Sequence, residues 1–595
     1  MRFFIFIVTF VAGLALSQGQ EDFLAKQYFA EGDFERAVVF YEKLATKNPR
    51  RPDYVQGLVQ CYQQLQRYAD ADAFLDKLLQ LPRPHPNLYI EKGYNRALQD
   101  FPEEANALYD RALEGIDENP NFGYALGYQF QKYGLLDWAI AAYKRSMELN
   151  PALDYNVQLA RIYGEQGNVE KMYRAYLDLI SNGKTSRSNV LRSISEFISE
   201  NAEDPNNLAL KQVLLEKAQG TPDLVWNELL SWLFVQQQQY GSAFRQEKAI
   251  FKRTDGATIQ RLENLAETAL ETGDTEMAKA IFEYVEENAV DNGTRLEAQL
   301  NLQDIALLDA GPKELQAIGE RYGQLVERYG YGVGTLQLQV AYANFLAFRK
   351  DQPKPAAQLL KNSLDLPLNP RGMAFIKLAL GDILVYDKKF NEALIYFSQV
   401  QQRLKNDVLG QNARYKVAET SFYKGDFKWA LTQLKVLRGS TSQLIANDAM
   451  QLSLLISDNS LEDSTQTALK KYARADFLAY QKKDREAIAA LEDILQQHKG
   501  EKIEDEALLK QAQLLEAQGK YAEAELNYRK ITEFFGDGIL ADDAFFALGE
   551  LYRKVLDQPE KAKAQYEKII YNYQDSYYFP QARKQFRKLR GDAIN

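Results

Sequence analysis

Four alanines stand at a constant interval of 34 residues, and this spacing constrains the fold more than any other feature of the sequence. They are Ala37, Ala71, Ala105 and Ala139. The residue four positions after each alanine keeps the same interval and is large in every case: Tyr41, Leu75, Tyr109 and Tyr143. A fixed period of this length is typical of stacked helical hairpins, because one hairpin cannot bury its apolar face alone. The sequence therefore predicts an all-α helical-hairpin solenoid.

The first hairpin shows the local pattern that each repeat follows. Ala37, Tyr41 and Leu44 have the i, i+4, i+7 spacing of one apolar helix face. Gly32 breaks the chain between the two helices, and Asn48-Pro49 ends the second one. The pattern predicts a small residue where two helices cross closely and an aromatic ring that fills the space beside it.

These hairpins resemble the tetratricopeptide repeat (TPR) family. Its motif has a small residue at the eighth position, an aromatic at the eleventh, alanine at the twentieth, an aromatic at the twenty-fourth and proline at the thirty-second. The fourth hairpin matches it with Gly127, Phe130, Ala139, Tyr143 and Pro151. The resemblance is strong over about residues 23–180, although the early tryptophan of the consensus is missing. It implies a right-handed superhelix with the first helix of each hairpin on the concave side.

The repeat pattern weakens in the middle of the chain and returns near the end at a longer period. Ala487 and Ala524 are 37 residues apart, and Ala524 and Ala562 are 38 apart. We therefore expect an N-terminal TPR array at residues 18–185, divergent helical repeats at 186–370 and a C-terminal TPR array at 371–595.

The first 17 residues have the pattern of a secretory signal peptide. Arg2 gives a positive start, Phe3–Leu16 is an apolar run, and Ala15 and Ser17 are the small residues that precede a cleavage site. A membrane anchor is the alternative, but the run is shorter than the roughly 20 apolar residues of a spanning helix. The sequence predicts an exported protein, with residues 1–17 removed.

The C-terminal end resembles the TPR modules of bacterial envelope proteins. The run Tyr571–Ser576 and the helix start Pro580–Arg583 carry this resemblance, which covers roughly the last 90 residues. It implies the periplasm of a Gram-negative, Bacteroidota-type bacterium, with the outer membrane as a place of association. No cysteine follows the predicted cleavage site, so the sequence does not have the lipid attachment signal of lipoprotein members.

Composition argues against several classes of function. The net charge of −10 over 595 residues argues against a non-specific nucleic-acid binder, which would need a basic face. Cys61, His85 and His498 are the only cysteine and histidines, too few and too far apart for a zinc site or a nucleophile with a histidine base. Cys61 lies beside Tyr62 in an amphipathic helix and is expected to pack as a small hydrophobe. We predict no catalytic residues, no metal and no cofactor.

A binding groove is the main functional prediction, and it comes from the family resemblance. In the family, ligands are contacted from positions two, five, nine, twelve and thirteen of each repeat. Carried onto this sequence, these positions give Gln56, Gln60, Gln63, Asn87, Tyr94, Asn121, Tyr124, Tyr128, Gln131, Lys132 and Arg161. Such a groove suits protein or peptide partners, because tyrosine offers contact area and amides pair with a peptide backbone. The alternative for the same residues is packing between neighbouring hairpins.

Two further possibilities stay open at this point. The basic final helix, with Arg583, Lys584, Arg587, Lys588 and Arg590, is a candidate for peripheral contact with anionic lipid, and a solvated capping helix is its alternative. A non-enzymatic scaffold of envelope assembly, secretion or motility machinery is the preferred function. A carbohydrate-active or glycan-binding helical protein, acting through two carboxylates, is the alternative.

Overall fold

A computed structural model describes residues 20–220, 223–440, 442–460 and 465–592. The predicted signal peptide lies outside these residues. Within them the chain forms 32 α-helices and no β-strand, which confirms the predicted fold class. The chain divides into two compact units, unit 1 ending at Leu233 and unit 2 beginning at Phe234.

Unit 1 is a series of helices, most of which pack against the next helix along the chain. Its first helix, α1, covers residues 20–30. The following helices are α2 (Phe34–Lys47), α3 (Pro52–Gln64), α4 (Tyr68–Leu79), α5 (Asn87–Ala97), α6 (Pro102–Glu118), α7 (Gly123–Lys132), α8 (Leu136–Leu149), α9 (Asn156–Glu165), α10 (Val169–Ser181), α11 (Arg187–Ile194), α12 (Pro205–Gly220) and α13 (Leu224–Gln236). The unit boundary falls within α13. Short 3₁₀ turns lie at Pro120–Phe122 and Ser195–Phe197.

Unit 2 continues the same helix-by-helix order. Its helices are α14 (Tyr240–Arg253), α15 (Ile259–Glu271), α16 (Thr275–Asn288), α17 (Asn292–Leu308), α18 (Pro312–Tyr329), α19 (Leu336–Asn344), α20 (Pro353–Ser363), α21 (Pro370–Tyr386), α22 (Phe390–Arg403), α23 (Val408–Lys424), α24 (Phe427–Leu437), α25 (Gln443–Ser460), α26 (Thr467–Tyr480), α27 (Asp484–Gln497), α28 (Ile503–Ala517), α29 (Tyr521–Phe534), α30 (Ala541–Lys554), α31 (Pro559–Asn572) and α32 (Phe579–Arg590). A 3₁₀ turn at Val333–Thr335 precedes α19, and a π-helical turn at Phe345–Arg349 follows it.

The periodic alanines are buried where the two helices of a hairpin cross. Ala37, Ala71, Ala105 and Ala139 are all at most 1% exposed, as the sequence predicts. The large residue one turn later is buried as well in each hairpin. The small side chain lets the helices approach, and the large one fills the space beside the crossing. The 34-residue interval is thus the repeat of one packing arrangement.

Local capping supports the helix starts. Asp33 accepts a hydrogen bond from the backbone N–H of Arg36 at 3.1 Å, and Asn168, Asp274 and Asp426 cap α10, α16 and α24 in the same way. Such caps satisfy backbone donors that a helix start leaves free. No helix of the described residues is long and apolar enough to cross a membrane. The division into arrays at residues 185 and 370 concerns the regularity of the sequence repeat, and it stays a prediction.

Candidate functional site

The inner side of unit 1 is defined by a contact between helices two hairpins apart. The first helices of successive hairpins, α3, α5 and α7, contact one another in order. Lys132, the last residue of α7, donates a hydrogen bond from Nζ to Oε1 of Gln56 in α3 at 2.8 Å. Because this bond passes the intervening α5, the first helices converge on this side. Gln56 and Lys132 therefore lie on this inner, concave face.

Glu91 of α5 is the centre of a hydrogen-bonded network on this face. Its Oε1 accepts from Nε2 of Gln56 at 3.0 Å and from Nε2 of Gln129, and its Oε2 accepts from the hydroxyl of Tyr133 at 2.6 Å. The three donors come from α3, α7 and the residue after α7. A single carboxylate thus joins three successive hairpins.

Burial controls the ionisation of this carboxylate. Glu91 is 4% exposed, and burial raises its pKa from 4.5 to about 7. The hydrogen bonds from Tyr133 and Gln56 and the charge of Lys132 act in the opposite direction, since they favour the ionised form. Burial also raises the pKa of the Tyr133 hydroxyl far above its usual value, so Tyr133 acts as a donor. Near neutral pH the network therefore holds a carboxyl group close to its titration midpoint.

An aromatic stack covers one side of the network. The Tyr94 and Tyr133 rings are parallel within 11°, with centroids 4.0 Å apart. The side chain of Gln60 lies near the Tyr133 hydroxyl and lowers its pKa, against the larger effect of burial. Tyr94 and Gln60, both predicted groove residues, thus hold the tyrosine that donates to Glu91.

A cavity of about 610 Å³ opens beside Glu91, at the ends of the helices where one hairpin connects to the next. Its walls include Pro49, Pro52, Leu81, Pro82, Pro84 and Leu88, and its polar edge includes Arg50, Gln56, Arg83, Asn87, Glu91 and Gln129. Proline fixes its own backbone angle, so these walls lose little freedom when a ligand binds. An apolar cavity with a few convergent polar groups is the usual form of a binding pocket.

The loop before α5 shapes the edge of this cavity. His85 accepts a hydrogen bond at Nδ1 from the backbone N–H of Asn87 at 3.3 Å, and its ring meets Phe122 edge-on at 4.8 Å. Burial lowers the pKa of His85, which favours the neutral ring. Oδ1 of Asn87 is buried and has no hydrogen-bond partner in the structure. An unpaired buried acceptor at a cavity edge is available to a donor on a ligand.

Two predicted groove tyrosines are exposed rather than engaged in the network. Tyr124 is 50% exposed and Tyr128 is 58% exposed. Their rings lie 6.3 Å apart and are parallel within 8°, and Tyr155 lies 6.2 Å from Tyr124. Large, open aromatic side chains on a concave face are typical of residues that contact a partner.

The remaining predicted groove residues belong neither to the Glu91 network and its cavity nor to the pair of exposed tyrosines. Gln63 is 6% exposed and its Nε2 has no hydrogen-bond partner, so it faces the protein interior. Asn121 pairs with Asn119, and Gln131 accepts a bond from the Tyr143 hydroxyl at 2.9 Å. Arg161 is exposed. The structure therefore brings five predicted residues together around Glu91 or its cavity: Gln56, Gln60, Asn87, Tyr94 and Lys132.

The sequence prediction missed the groups at the centre of the site. Glu91, Gln129 and Tyr133 do not occupy the family's ligand-contacting positions. One signal was present: Glu91 is a charged residue between Ile90 and Gly93, which both pack in the interior. A charged residue among buried neighbours indicates a polar partner on an adjacent helix.

Comparisons with known proteins identify the repeats. Sequence models described as tetratricopeptide repeat match residues 28–89, 506–537 and 543–576. The chain therefore carries tetratricopeptide repeats in both units, and these repeats indicate a protein-binding scaffold. The matched segments include α3 and the loop that shapes the cavity.

Solved structures of other proteins are similar over most of the chain. The chain is 14% identical to one in the structure of Naa15/Naa10 bound to HypK-THB, over 97% of this chain and 96% of the other, with a TM-score of 0.31. It is 12% identical to one in the APC/C hetero-tetramer Cut9–Hcn1, over 96% of each chain, with a TM-score of 0.23. Yeast Tom70 is 15% identical, over 83% of this chain and 99% of its own, with a TM-score of 0.28. These TM-scores are too low to support an argument about the fold. The fold assignment rests on the helices of the structure and on the matches to the repeat models.

Among the described residues, no group of three or more histidine, cysteine, aspartate or glutamate side chains could hold a metal ion. Cys61 is buried, and burial raises its pKa to about 12. Cys61 lies on the buried side of α3, in agreement with the packing role that the sequence predicts.

Proposed function

We propose that the protein is an exported, non-enzymatic scaffold that binds an extended segment of a protein partner on the inner face of unit 1. The observation that carries this proposal is the juxtaposition of a preformed apolar cavity with a fixed polar network on one concave face. One apolar side chain of the segment enters the cavity. The exposed rings of Tyr124 and Tyr128 hold residues further along the segment.

The polar groups of the face fit the backbone of such a segment. Oδ1 of Asn87 can accept from a peptide N–H, because no group of the protein occupies it. The guanidinium groups of Arg50 and Arg83 at the cavity edge can donate to peptide carbonyls. Since most of the network is already paired within the protein, it holds the cavity in shape, and little ordering is needed on binding.

The place of action is part of the same proposal. The signal peptide pattern of residues 1–17 and the envelope-like C-terminal end support export to a Gram-negative periplasm, with envelope proteins as partners and assembly, secretion or motility machinery as the setting. Mass spectrometry of the mature N-terminus from fractionated cells tests export. An N-terminus near Gln18 in the periplasmic fraction is expected, and an intact Met1 in the cytosol would contradict it.

Lipid contact through α32 is a separate part of the proposal. Arg587 lies 3.4 Å from a carboxylate oxygen of Asp592, and Arg590 donates to the same carboxylate, so part of the positive charge is compensated locally. Flotation with vesicles containing anionic lipid tests the contact. Vesicle binding that disappears when Lys584 and Lys588 become glutamine would support it.

A selection from a random dodecapeptide display library with the immobilised full chain tests the binding site. Peptides with one large apolar residue are expected to be enriched. The double variant Y124A/Y128A should weaken their binding at least about tenfold, as expected for the loss of two aromatic contacts. L81W, which fills the cavity from a partly exposed position, should weaken it similarly. F101A, which removes a similarly exposed ring outside the site, is the control. Unchanged affinity in both test variants would exclude this face.

The alternative function, a carbohydrate-active or glycan-binding protein, stays a prediction.

A further inference from the structure

We propose that a second cavity, in unit 2, binds a basic side chain, arginine or lysine, of an extended segment of a protein partner. The cavity has a volume of about 500 Å³ and is lined by α15, α17, α18, α19, the π-helical turn and α21. It lies wholly within unit 2, and the proposal does not depend on binding to unit 1.

The lining carries an excess of negative charge. Glu267 of α15 and Glu297 and Asp304 of α17 line the cavity, and all three side chains are exposed. The surrounding protein raises the pKa of Asp304 through desolvation. Arg349 is the one basic residue of the lining, and its guanidinium donates to the backbone carbonyl of Leu307 at 3.0 Å. Three carboxylates thus face the cavity, with one guanidinium at its edge.

A buried carboxylate without a full set of partners lies next to these groups. Glu263 is one helical turn before Glu267 on α15 and is 6% exposed. Its Oε1 has no hydrogen-bond partner in the structure. Burial and the charges of Glu297 and Glu267 raise the pKa of Glu263 to about 7. A buried carboxylate oxygen without a hydrogen-bond partner lowers the stability of the protein. A cation in the adjacent cavity would compensate the negative charge of this group of carboxylates.

Aromatic rings form the other part of the lining. Tyr322, Phe345, Phe348 and Phe375 line the cavity, and the Tyr322 and Phe345 rings are 5.3 Å apart. Phe345, Phe348 and Arg349 belong to the π-helical turn. Such turns are rare and frequently occur at functional sites. Ring faces attract ammonium and guanidinium groups, and a planar guanidinium can also pair with carboxylates.

The remaining polar groups favour a peptide over a metal ion. Asn301, Gln337 and Asn344 line the same cavity, and amides can both donate to and accept from a peptide backbone. Among the described residues no acidic cluster could hold a metal ion. The carboxylates, the rings and the amides together therefore fit a cationic side chain attached to a peptide.

Two random heptapeptide libraries test the proposal on the full chain. One has a fixed central arginine, and the other has citrulline, a neutral residue of nearly the same shape, at that position. Retention of the chain on the arginine library should be at least about tenfold higher, because charge pairing discriminates between the two. Equal retention on both libraries would overturn the proposal.

Variants place the interaction in the cavity. E297Q and D304N should each reduce retention on the arginine library, and F375A, which removes a 37% exposed ring, should do the same. E283Q neutralises an exposed carboxylate on α16, outside the lining, and should change nothing. The ratio of retention on the arginine library to retention on the citrulline library should stay the same in Y124A/Y128A, which separates this site from unit 1. If E283Q reduced retention on the arginine library as much as E297Q does, the assignment of the binding site to this cavity would be contradicted.

Two competitors test the chemical class of the ligand. Free spermidine should compete weakly, because it carries positive charge but no peptide backbone. A neutral oligosaccharide should not compete. Competition by the oligosaccharide, or binding of spermidine in the absence of any binding to the arginine library, would overturn the peptide proposal.

Discussion

The ring of Tyr143 occupies the space in which a side chain at Gly127 would lie. A Cβ atom added to Gly127 would stand 2.4 Å from Cε1 of the Tyr143 ring, far closer than two carbon atoms can approach. Three other hairpins contain the same pair, in which the glycine of the first helix faces an aromatic ring of the second: Gly93 with Tyr109, Gly381 with Phe397, and Gly549 with Tyr566. Gly57 of α3 faces the Tyr41 ring of the preceding hairpin in a similar contact. These pairs set how closely the two helices pack where they occur.

Gly127→Ala should therefore destabilise unit 1. The added methyl group must displace the fully buried Tyr143 ring, and overpacking of this kind costs about 1–3 kcal/mol. Urea unfolding of the full chain, followed by hydrogen exchange of α7 and α8, measures the loss. Gly323→Ala in α18 is the matched control, since a Cβ there meets no atom within 4 Å. Alanine should be neutral or slightly stabilising at that helical position.

An unchanged free energy of unfolding in Gly127→Ala would show that the helices can separate without cost. The packing account of the repeat would then be wrong.

The period made the fold predictable because it repeats backbone geometry as well as side-chain size. Each of the first four hairpins has a residue in the left-handed region between its helices, at Gly32, Gln66, Asp100 and Gly134, with φ of 78°, 56°, 62° and 69°. These positions are again 34 residues apart. Only two of the four positions are glycine. At the other two, tertiary packing imposes the same left-handed conformation on Gln66 and Asp100. The alanine and aromatic positions carry the pattern where the glycine is missing.

The site was less predictable than the fold. Three residues at the family positions, Gln56, Tyr94 and Lys132, lie on or beside the network around Glu91, and their role in binding stays a prediction. The family positions did not identify Glu91 or Gln129, because the partners of these residues come from hairpins 35 to 42 residues away. Nothing in the local sequence records how far a solenoid curves, and curvature decides which helices meet. The position of the cavity depends on the same curvature.

Ionisation of Glu91 should make the stability of unit 1 depend on pH. Its pKa is about 7 in the folded protein and near 4.5 when unfolded, so between these values the folded state holds a proton that the unfolded state has lost. The contribution of Glu91 to the free energy of unfolding should therefore be largest below pH 4.5 and be lost as the pH rises through 7, by an amount on the order of 3 kcal/mol. E91Q should lack this contribution, because glutamine does not titrate.

Hydrogen exchange of α3, α5 and α7 at several pH values, corrected for intrinsic rates, measures this difference between wild type and E91Q. The other titrating groups are common to both proteins and cancel in the comparison. A difference that stays constant from pH 4 to 8 would mean that Glu91 ionises normally in the folded state.

Cys61 should react with thiol reagents only when unit 1 opens. It is fully buried, and its pKa of about 12 leaves about one thiolate in ten thousand at pH 8. Labelling with a maleimide at pH 8 should be very slow in buffer and fast in guanidinium chloride. Because Cys61 is the only cysteine of the chain, the mass of the product reports this site alone. Equal rates in both solutions would contradict its position in the core.

Site-specific photocrosslinking in native cells tests the central claim most directly. A benzoylphenylalanine at position 128 places the reactive group on the inner face of unit 1, and the same residue at position 101 places it on a comparably exposed control site. We predict reproducible, light-dependent adducts with one or a few proteins from position 128, none of these adducts from position 101, and their loss when L81W fills the cavity. The same adducts from both positions, or none from position 128, would contradict partner binding on this face.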